Sequence, residues 1–206
     1  VCEQLLAEGI RYVFGNPGTV EQGFLDALTS YPALQYVCAL QETVAVGMAD
    51  GYARATHGPA VVQLHSGVGL GNGIGMLYQA MRGHAPLIVL AGDAGVQYEA
   101  MDAQMAADLV GMARPVTKWA GRATHPSSLL RILRRAIKIA TTPPTGPVFL
   151  ALPMDVLDAA NSEDVVSTAP LATRTVPEAA LITQAARLLA GATRPIIIGD
   201  TGVAHV

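Results

Sequence analysis

The feature that most limits what this chain can fold into is a set of short apolar runs without helical period, each bounded by turn-forming residues. Ala60-Val61-Val62-Gln63-Leu64-His65, Pro86-Leu87-Ile88-Val89-Leu90-Ala91-Gly92 and Pro147-Val148-Phe149-Leu150-Ala151-Leu152 are the clearest. Arg11-Tyr12-Val13-Phe14 and Gln35-Tyr36-Val37-Cys38-Ala39-Leu40 have the same character. Strands that are apolar throughout and alternate with helix-length segments belong to a parallel sheet covered by helices on both faces. The predicted class is therefore α/β. Helices are expected over 2–8, 20–28, 42–56, 72–82 and 127–140, with a loop and a short helix between 93 and 111 and an extended segment at 114–119.

Composition narrows the function. Of 206 residues, 51% are hydrophobic and 14% charged, enough apolar mass for a sizeable core and too much for disorder. The net charge is -3 without a lysine- or arginine-rich block, so neither nucleic acid nor an anionic membrane is an expected partner. The apolar runs fall far short of the roughly 20 residues that span a bilayer. Cys2 and Cys38 read as free thiols of a reducing, cytoplasmic compartment. No C-x-x-C or H-x-x-x-H spacing supports a metal site.

Residues 1–158 carry the α/β pattern, and 159–176 turn polar and Ser/Thr-rich, as a linker does. A helix opening at Pro177 and a strand over Arg194-Pro195-Ile196-Ile197-Ile198-Gly199-Asp200 then read as the start of a second α/β domain, 177–206. So short a piece is not a stable domain of this type. With Val1 at one end and an interrupted pattern at the other, the chain is expected to be a fragment.

The chemistry concentrates between Gln41 and Asn72, read as helix, strand, glycine loop and helix. Glu42 opens the first helix between an apolar strand and small apolar residues. A dipole-stabilised surface acid is the plain reading, but a buried carboxylate without a cation nearby also suits a ligand that donates a hydrogen bond. His65 ends an apolar strand immediately before the glycines. It is either a satisfied core residue or an imidazole available for proton transfer. Ligands of open parallel sheets bind outside the carboxyl ends of the strands, so Glu42 and His65 are expected to share a crevice. Gly67, Gly69, Gly71, Gly73 and Gly75 imitate a dinucleotide fingerprint, with Asp93 as the mock ribose acid, but no G-x-G-x-x-G frame fits. In Gly15-Asn16-Pro17-Gly18-Thr19, a turn, Thr19 is positioned to cap the next helix with Gln22. His57, His84 and His125 lie beside turns and prolines and read as surface residues.

Together, Phe14-Gly15-Asn16-Pro17-Gly18-Thr19, Leu40-Gln41-Glu42, Ala49-Asp50-Gly51-Tyr52-Ala53-Arg54, Leu64-His65-Ser66 and Gly71-Asn72 resemble the N-terminal, pyrimidine-binding domain of thiamine-diphosphate-dependent enzymes. Among these the benzoylformate decarboxylases and related 2-oxo acid decarboxylases are most similar. Arg114-Pro115, Lys118-Trp119, Gly146-Pro147-Val148 and Leu152-Pro153 extend the resemblance over about residues 1–158, and 194–202 is similar to the opening of the family's central domain. The resemblance implies a thiamine-diphosphate-binding fold and a lyase acting on a small 2-oxo acid. It assigns Glu42 to the aminopyrimidine, where the glutamate favours the imino tautomer that activates the thiazolium. Pro17, Gly18 and Asn72 would line the cofactor pocket. His65 would transfer protons to and from substrate-derived species and contact the substrate. Thr19 stands where the decarboxylases carry a substrate-binding serine. Acetolactate synthases usually lack a histidine at the His65 position, which favours a decarboxylase over an acetolactate-synthase-like or acyl-CoA-linked enzyme. A nucleotide-binding or structural domain on the same scaffold is the reading from a different class.

The resemblance further implies a magnesium ion on the diphosphate, held by a Gly-Asp-Gly motif in a C-terminal domain. It also implies a site completed by a second subunit of a homodimer or homotetramer. Neither Gly92-Asp93-Ala94-Gly95 nor Gly199-Asp200-Thr201-Gly202 is that motif. The 206 residues alone are thus expected to hold half a site, to supply no metal ligand and to be inactive.

Overall fold

The computed structural model describes residues 1–169, 172, 173 and 175–199. They fall into two units, Val1–Leu171 and Ala172–Val206. The first is built on a six-stranded sheet of β1 (Tyr12–Gly15), β2 (Gln35–Cys38), β3 (Ala60–His65), β4 (Leu87–Asp93), β5 (Trp119–Arg122) and β6 (Val148–Pro153). All pairs are parallel, in the order β2-β1-β3-β4-β6-β5. Its helices are α1 (Cys2–Ala7), α2 (Gln22–Leu28), α3 (Glu42–Thr56), α4 (Ser66–Arg82), α5 (Leu109–Ala113), α6 (Leu129–Thr141) and α7 (Met154–Asp158).

Alternation along the buried strands divides the core in two. Val62, Leu64, Val89, Ala91 and Phe149 face the layer of α3, α4 and α5. Val61, Ile88, Leu90, Val148 and Leu150 face α1 and α6. Residues such as Val61, Val62, Ile88 and Val89 are fully buried, which is why these strands read as unbroken apolar runs. From β1 the chain steps outward to β2 and then returns across β1 to β3. The sheet therefore has its topological switch point between β1 and β3, at whose carboxyl ends a crevice opens.

The glycine-rich stretch is not the expected loop: α4 begins at Ser66 and takes in Gly67, Gly69, Gly71, Gly73 and Gly75. Five glycines in place of alanines cost a helix roughly 4–5 kcal/mol in propensity. Packing offsets it. A Cβ on Gly69 would stand 3.4 Å from Glu42, and one on Gly73 would stand 3.3 Å from Val46 and 3.4 Å from Leu64. Gly67 and Gly71 are under less constraint: a Cβ there would meet Leu109 at 3.7 Å and Met112 at 3.8 Å, in ordinary contact. At Gly69 and Gly73 the missing side chains let α4 lie directly against α3 and β3.

Three smaller expectations also change. Residues 114–119 open with a 3-10 turn, Arg114–Val116, and the strand comes later, at Trp119–Arg122, where β6 supplies a partner. Thr19 starts a 3-10 turn, Thr19–Glu21, rather than capping a helix, and Glu21 instead accepts a hydrogen bond from Gly18 N–H at 3.1 Å. In the second unit α8 (Ala179–Ala190) forms as expected, but 195–199 is not a strand. Ile196, Ile197 and Ile198 are exposed there, with no neighbouring strand among the described residues to complete a ladder. Asp200, the last residue of that predicted strand, lies outside the described residues.

The first half of the polar stretch 159–176 lies along the first unit. Glu163 accepts from Leu130 N–H at 2.7 Å and Arg131 N–H at 3.3 Å at the start of α6, and Thr168 bonds Glu8.

Two expectations follow. Gly73→Leu drives a side chain into Val46 and Leu64 and should cost about 1–3 kcal/mol or more in chemical denaturation. An unchanged midpoint would mean that α3 and α4 are not in contact there. Asp155 on α7 accepts from Val96 N–H (3.0 Å) and Gln97 N–H (3.1 Å). Burial alone would raise its pKa, but these N–H groups outweigh it and hold the carboxyl below the usual range. The stability it contributes is thus present above the unfolded pKa and lost as pH falls through the depressed folded value. Asp155→Asn should remove that part of the acid dependence and speed amide exchange at 96–97.

Candidate active site

Three chain segments meet at the carboxyl edge of the sheet: the turn after β1, the start of α3 after β2, and the junction of β3 with α4. Glu42 is the first residue of α3, where Gln41 caps the helix by accepting from Val44 N–H at 3.3 Å. The carboxylate is 8% exposed. Its Oε2 accepts from Asn72 Nδ2 at 3.0 Å, and its Oε1 accepts no hydrogen bond among the described residues. Asn72 is held in turn by Thr43, whose hydroxyl donates to the Asn72 carbonyl at 2.6 Å. Gly69 passes beside Oε1, so the space next to that oxygen is free of side chain on the α4 side.

His65 closes β3, pairing with Gly92 of β4. Ser66 follows with φ 46°, a left-handed conformation that costs a non-glycine residue roughly 1–2 kcal/mol and turns strand sharply into helix. The imidazole, 21% exposed, contacts a residue that sequence reasoning passed over. Its Nδ1 lies 3.1 Å from Glu21 Oε2. Glu21 is itself 2% exposed, with Oε2 accepting from Gly18 N–H (3.1 Å) and Oε1 from Gly92 N–H (2.9 Å). Behind it, the Tyr36 hydroxyl meets Gln63 Oε1. Burial first, then the negative charges of Cys38 and Glu21, push that hydroxyl above the ordinary tyrosine range.

Of the sequence-predicted residues, Pro17 and Gly18 lie in the turn after β1, while Thr19 is exposed at the start of the 3-10 turn that ends in Glu21. Asn72 faces Glu42 rather than open space. Asp93 is buried at the end of β4, with Oδ2 2.8 Å from Arg122 Nε and Oδ1 unpartnered. Arg122 also pairs with Glu99 at 2.7 Å. These residues line a cavity of about 320 Å³ with Asp102 and Asp108. With Asp93 in an ion pair and the glycines in a helix, both features that imitated a dinucleotide site serve other contacts. His84 Nδ1 meets the Thr145 carbonyl, and His125 accepts from Ser127 N–H, both at exposed turns. Among the described residues no group of three or more His, Cys, Asp or Glu is arranged to hold a metal ion. None of the helices there is long and apolar enough to cross a membrane.

Glu21 went unread because its sequence context, an acid near a helix start, carries no signal of burial. The hint lay in the two glycines that make room for it, Gly18 and Gly92, and glycines in turns have many causes.

Residues 1–112, which hold Glu21, Glu42 and His65, match the family model described as thiamine pyrophosphate enzyme, N-terminal TPP binding domain. The chain is 38% identical over 155 residues to benzoylformate decarboxylase of Pseudomonas aeruginosa, across 74% of this chain and 29% of that protein. It is 32% identical over 202 residues to the acetolactate synthase isozyme 3 large subunit of Escherichia coli, across 96% of this chain and 35% of that one. Among solved structures, benzoylformate decarboxylase from Polynucleobacter necessarius superposes with a TM-score of 0.83 at 32% identity, covering 92% of this chain and 35% of that chain. The chain thus spans about a third of the length of these relatives.

A Cβ on Gly18 would lie 2.0 Å from His65 Nδ1, inside the ring. Gly18→Ala should therefore keep the sheet but swing His65 off Glu21. A crystal structure of the variant with the imidazole unmoved would refute this geometry.

Proposed function

The chain belongs to the thiamine pyrophosphate enzymes, and we propose that it is the pyrimidine-binding part of a thiamine-diphosphate-dependent 2-oxo acid decarboxylase or carboligase of the benzoylformate decarboxylase type. The observation that carries the reading is Glu42: a carboxylate 8% exposed, with one oxygen held by Asn72 and the other without a protein donor. Such an oxygen is matched by a ring nitrogen that donates a hydrogen bond, as an aminopyrimidine does, and the bare backbone of Gly69 leaves room beside it. The residues present fit the cofactor. When bound, thiamine diphosphate supplies an electron sink for breaking or making the bond next to a carbonyl.

What this chain contributes is binding, orientation and proton transfer. Glu42 Oε1 holds the proton of the ring nitrogen, and the dipole of α3 favours the negative charge at its first residue by typically 0.3–1 kcal/mol. Asn72 and Thr43 keep the carboxylate in one orientation. Pro17 and Gly18 present mainly backbone to the pocket. His65 takes up or delivers a proton at Nε2, the nitrogen not engaged by Glu21. Thr19, with its exposed hydroxyl, is the proposed contact for the substrate carboxylate. The diphosphate and its magnesium ion are assigned to residues beyond this stretch, in a second subunit of a homodimer or homotetramer. The two free thiols, Cys2 and Cys38, accord with a cytoplasmic protein.

Carboligation in the manner of an acetolactate synthase is the second reading. It is supported by the likeness to the Escherichia coli subunit across 96% of the chain. His65 favours decarboxylation, since it gives the site a proton donor for the carbon that loses carbon dioxide.

In the full-length parent enzyme, Glu42→Gln should lower thiamine-diphosphate-dependent turnover of benzoylformate by ~10²–10⁴-fold, the range of a lost proton-handling group. Turnover indifferent to the substitution would remove Glu42 from the mechanism. Acetolactate formed from pyruvate, without benzoylformate decarboxylation, would favour the second reading.

A further inference from the structure

The least expected group in the crevice is Glu21. It is 2% exposed and, among the described residues, neither Lys nor Arg pairs with it. A buried carboxylate is tolerated when hydrogen bonds replace its water. Here they come from three strand ends at once: Gly18 N–H after β1, Gly92 N–H on β4, and the His65 ring at the end of β3. Two glycines make the arrangement possible. A Cβ at Gly18 would overlap the His65 ring at 2.0 Å, and a Cβ at Gly92 would stand 2.2 Å from Glu21 Oε1. Both main-chain donors belong to the backbone, so the carboxylate is fixed before the imidazole meets it. Ser66, in its left-handed conformation, fixes the backbone of His65 from the other side.

We infer that Glu21 is the positioning residue of His65, holding the imidazole with its proton on Nδ1 so that Nε2 is the nitrogen that exchanges protons with the substrate. A carboxylate only accepts hydrogen bonds, so the contact at 3.1 Å makes Nδ1 the donor. Nε2 has no hydrogen-bond partner among the described residues. Neutral, the ring offers a lone pair at Nε2. Charged, it offers Nε2–H, and after giving that proton up it returns to the same tautomer and is recharged from solvent. The role corresponds to that of a carboxylate orienting a catalytic imidazole, whose replacement by the amide reverses the tautomer and lowers turnover steeply.

The inference rests on the proposed reading of His65 as the proton-transfer residue, and the test separates the two. In the full-length enzyme with thiamine diphosphate, magnesium and benzoylformate, Glu21→Gln, His65→Ala and the double variant form a cycle. Glu21→Gln should lower kcat by ~10²-fold with KM within about 3-fold, and in the His65→Ala background it should change kcat by less than about 2-fold. Losses that multiply in the double variant would overturn the inference, because damage to packing adds where action through His65 does not. A second readout needs neither cofactor nor turnover: ¹⁵N resonances of histidine-labelled full-length protein, assigned against His65→Ala. Wild type should show His65 protonated at Nδ1 when neutral, and Glu21→Gln should show the proton on Nε2. A wild-type ring protonated at Nε2 would sink the inference even if Glu21→Gln fails to fold. A wild-type enzyme without thiamine-diphosphate-dependent turnover would instead overturn the reading beneath it, and would be seen in the wild-type control.

Discussion

At the carboxyl edge of the sheet, one buried carboxylate ties the turn after β1 to the ends of β3 and β4. Parallel strands align their own residues through the ladder, but beyond the last rung nothing in the ladder dictates where the chain goes. Glu21 supplies that constraint here: it joins the turn after β1, the end of β3 and the end of β4 through three hydrogen bonds. The switch point lies between β1 and β3, so the crevice that topology opens is also the place where this side chain fixes the walls. Glu42, Asn72 and Thr43 make a second set of contacts, between the start of α3 and the second turn of α4. The two acids thus have different partners. Glu21 is saturated by the protein, and Glu42 keeps one oxygen for something else.

That contrast bears on what the site does. A saturated buried carboxylate acts through the group it holds, whereas one with a spare acceptor acts on whatever enters. The chain belongs to the thiamine pyrophosphate enzymes and is similar to both benzoylformate decarboxylase and acetolactate synthase. Under the proposed reading, Glu42 is the residue that meets the cofactor. The Glu21–His65 pair sits apart from it, at the end of β3.

Much of the fold was legible because its strands are buried on both faces, and double burial writes an unmistakable apolar run. β3, β4 and β6 were readable for that reason, as was α6, whose inward Leu129, Leu133 and Ile137 keep helical period. Short-range rules failed where long-range packing decided. The glycines of α4 carry the local signature of a loop, and only the nearness of Val46, Leu64 and Glu42 explains a helix there. Residues 195–199 have strand composition but no partner among those described, and composition alone does not make a ladder. At the site, Glu42 and His65 stood out through their apolar surroundings. Glu21 did not, because its partners are main-chain groups from distant strands that no local pattern can reveal.

The same helix has a consequence for how the protein can change. Along α4, tolerance of a side chain alternates with the helical turn: Gly69 and Gly73 face α3 at contact distance, while a Cβ on Gly75 meets nothing within 4 Å in this chain. Alanine at Gly75 would add helix propensity at no local steric cost, whereas at Gly73 any gain is set against Val46 and Leu64. A lineage adapting to heat therefore has an inexpensive substitution beside a tightly constrained one, two residues apart. Drift in this helix should run along its outer line and leave the inner line of glycines as a record of how closely the two helices must approach.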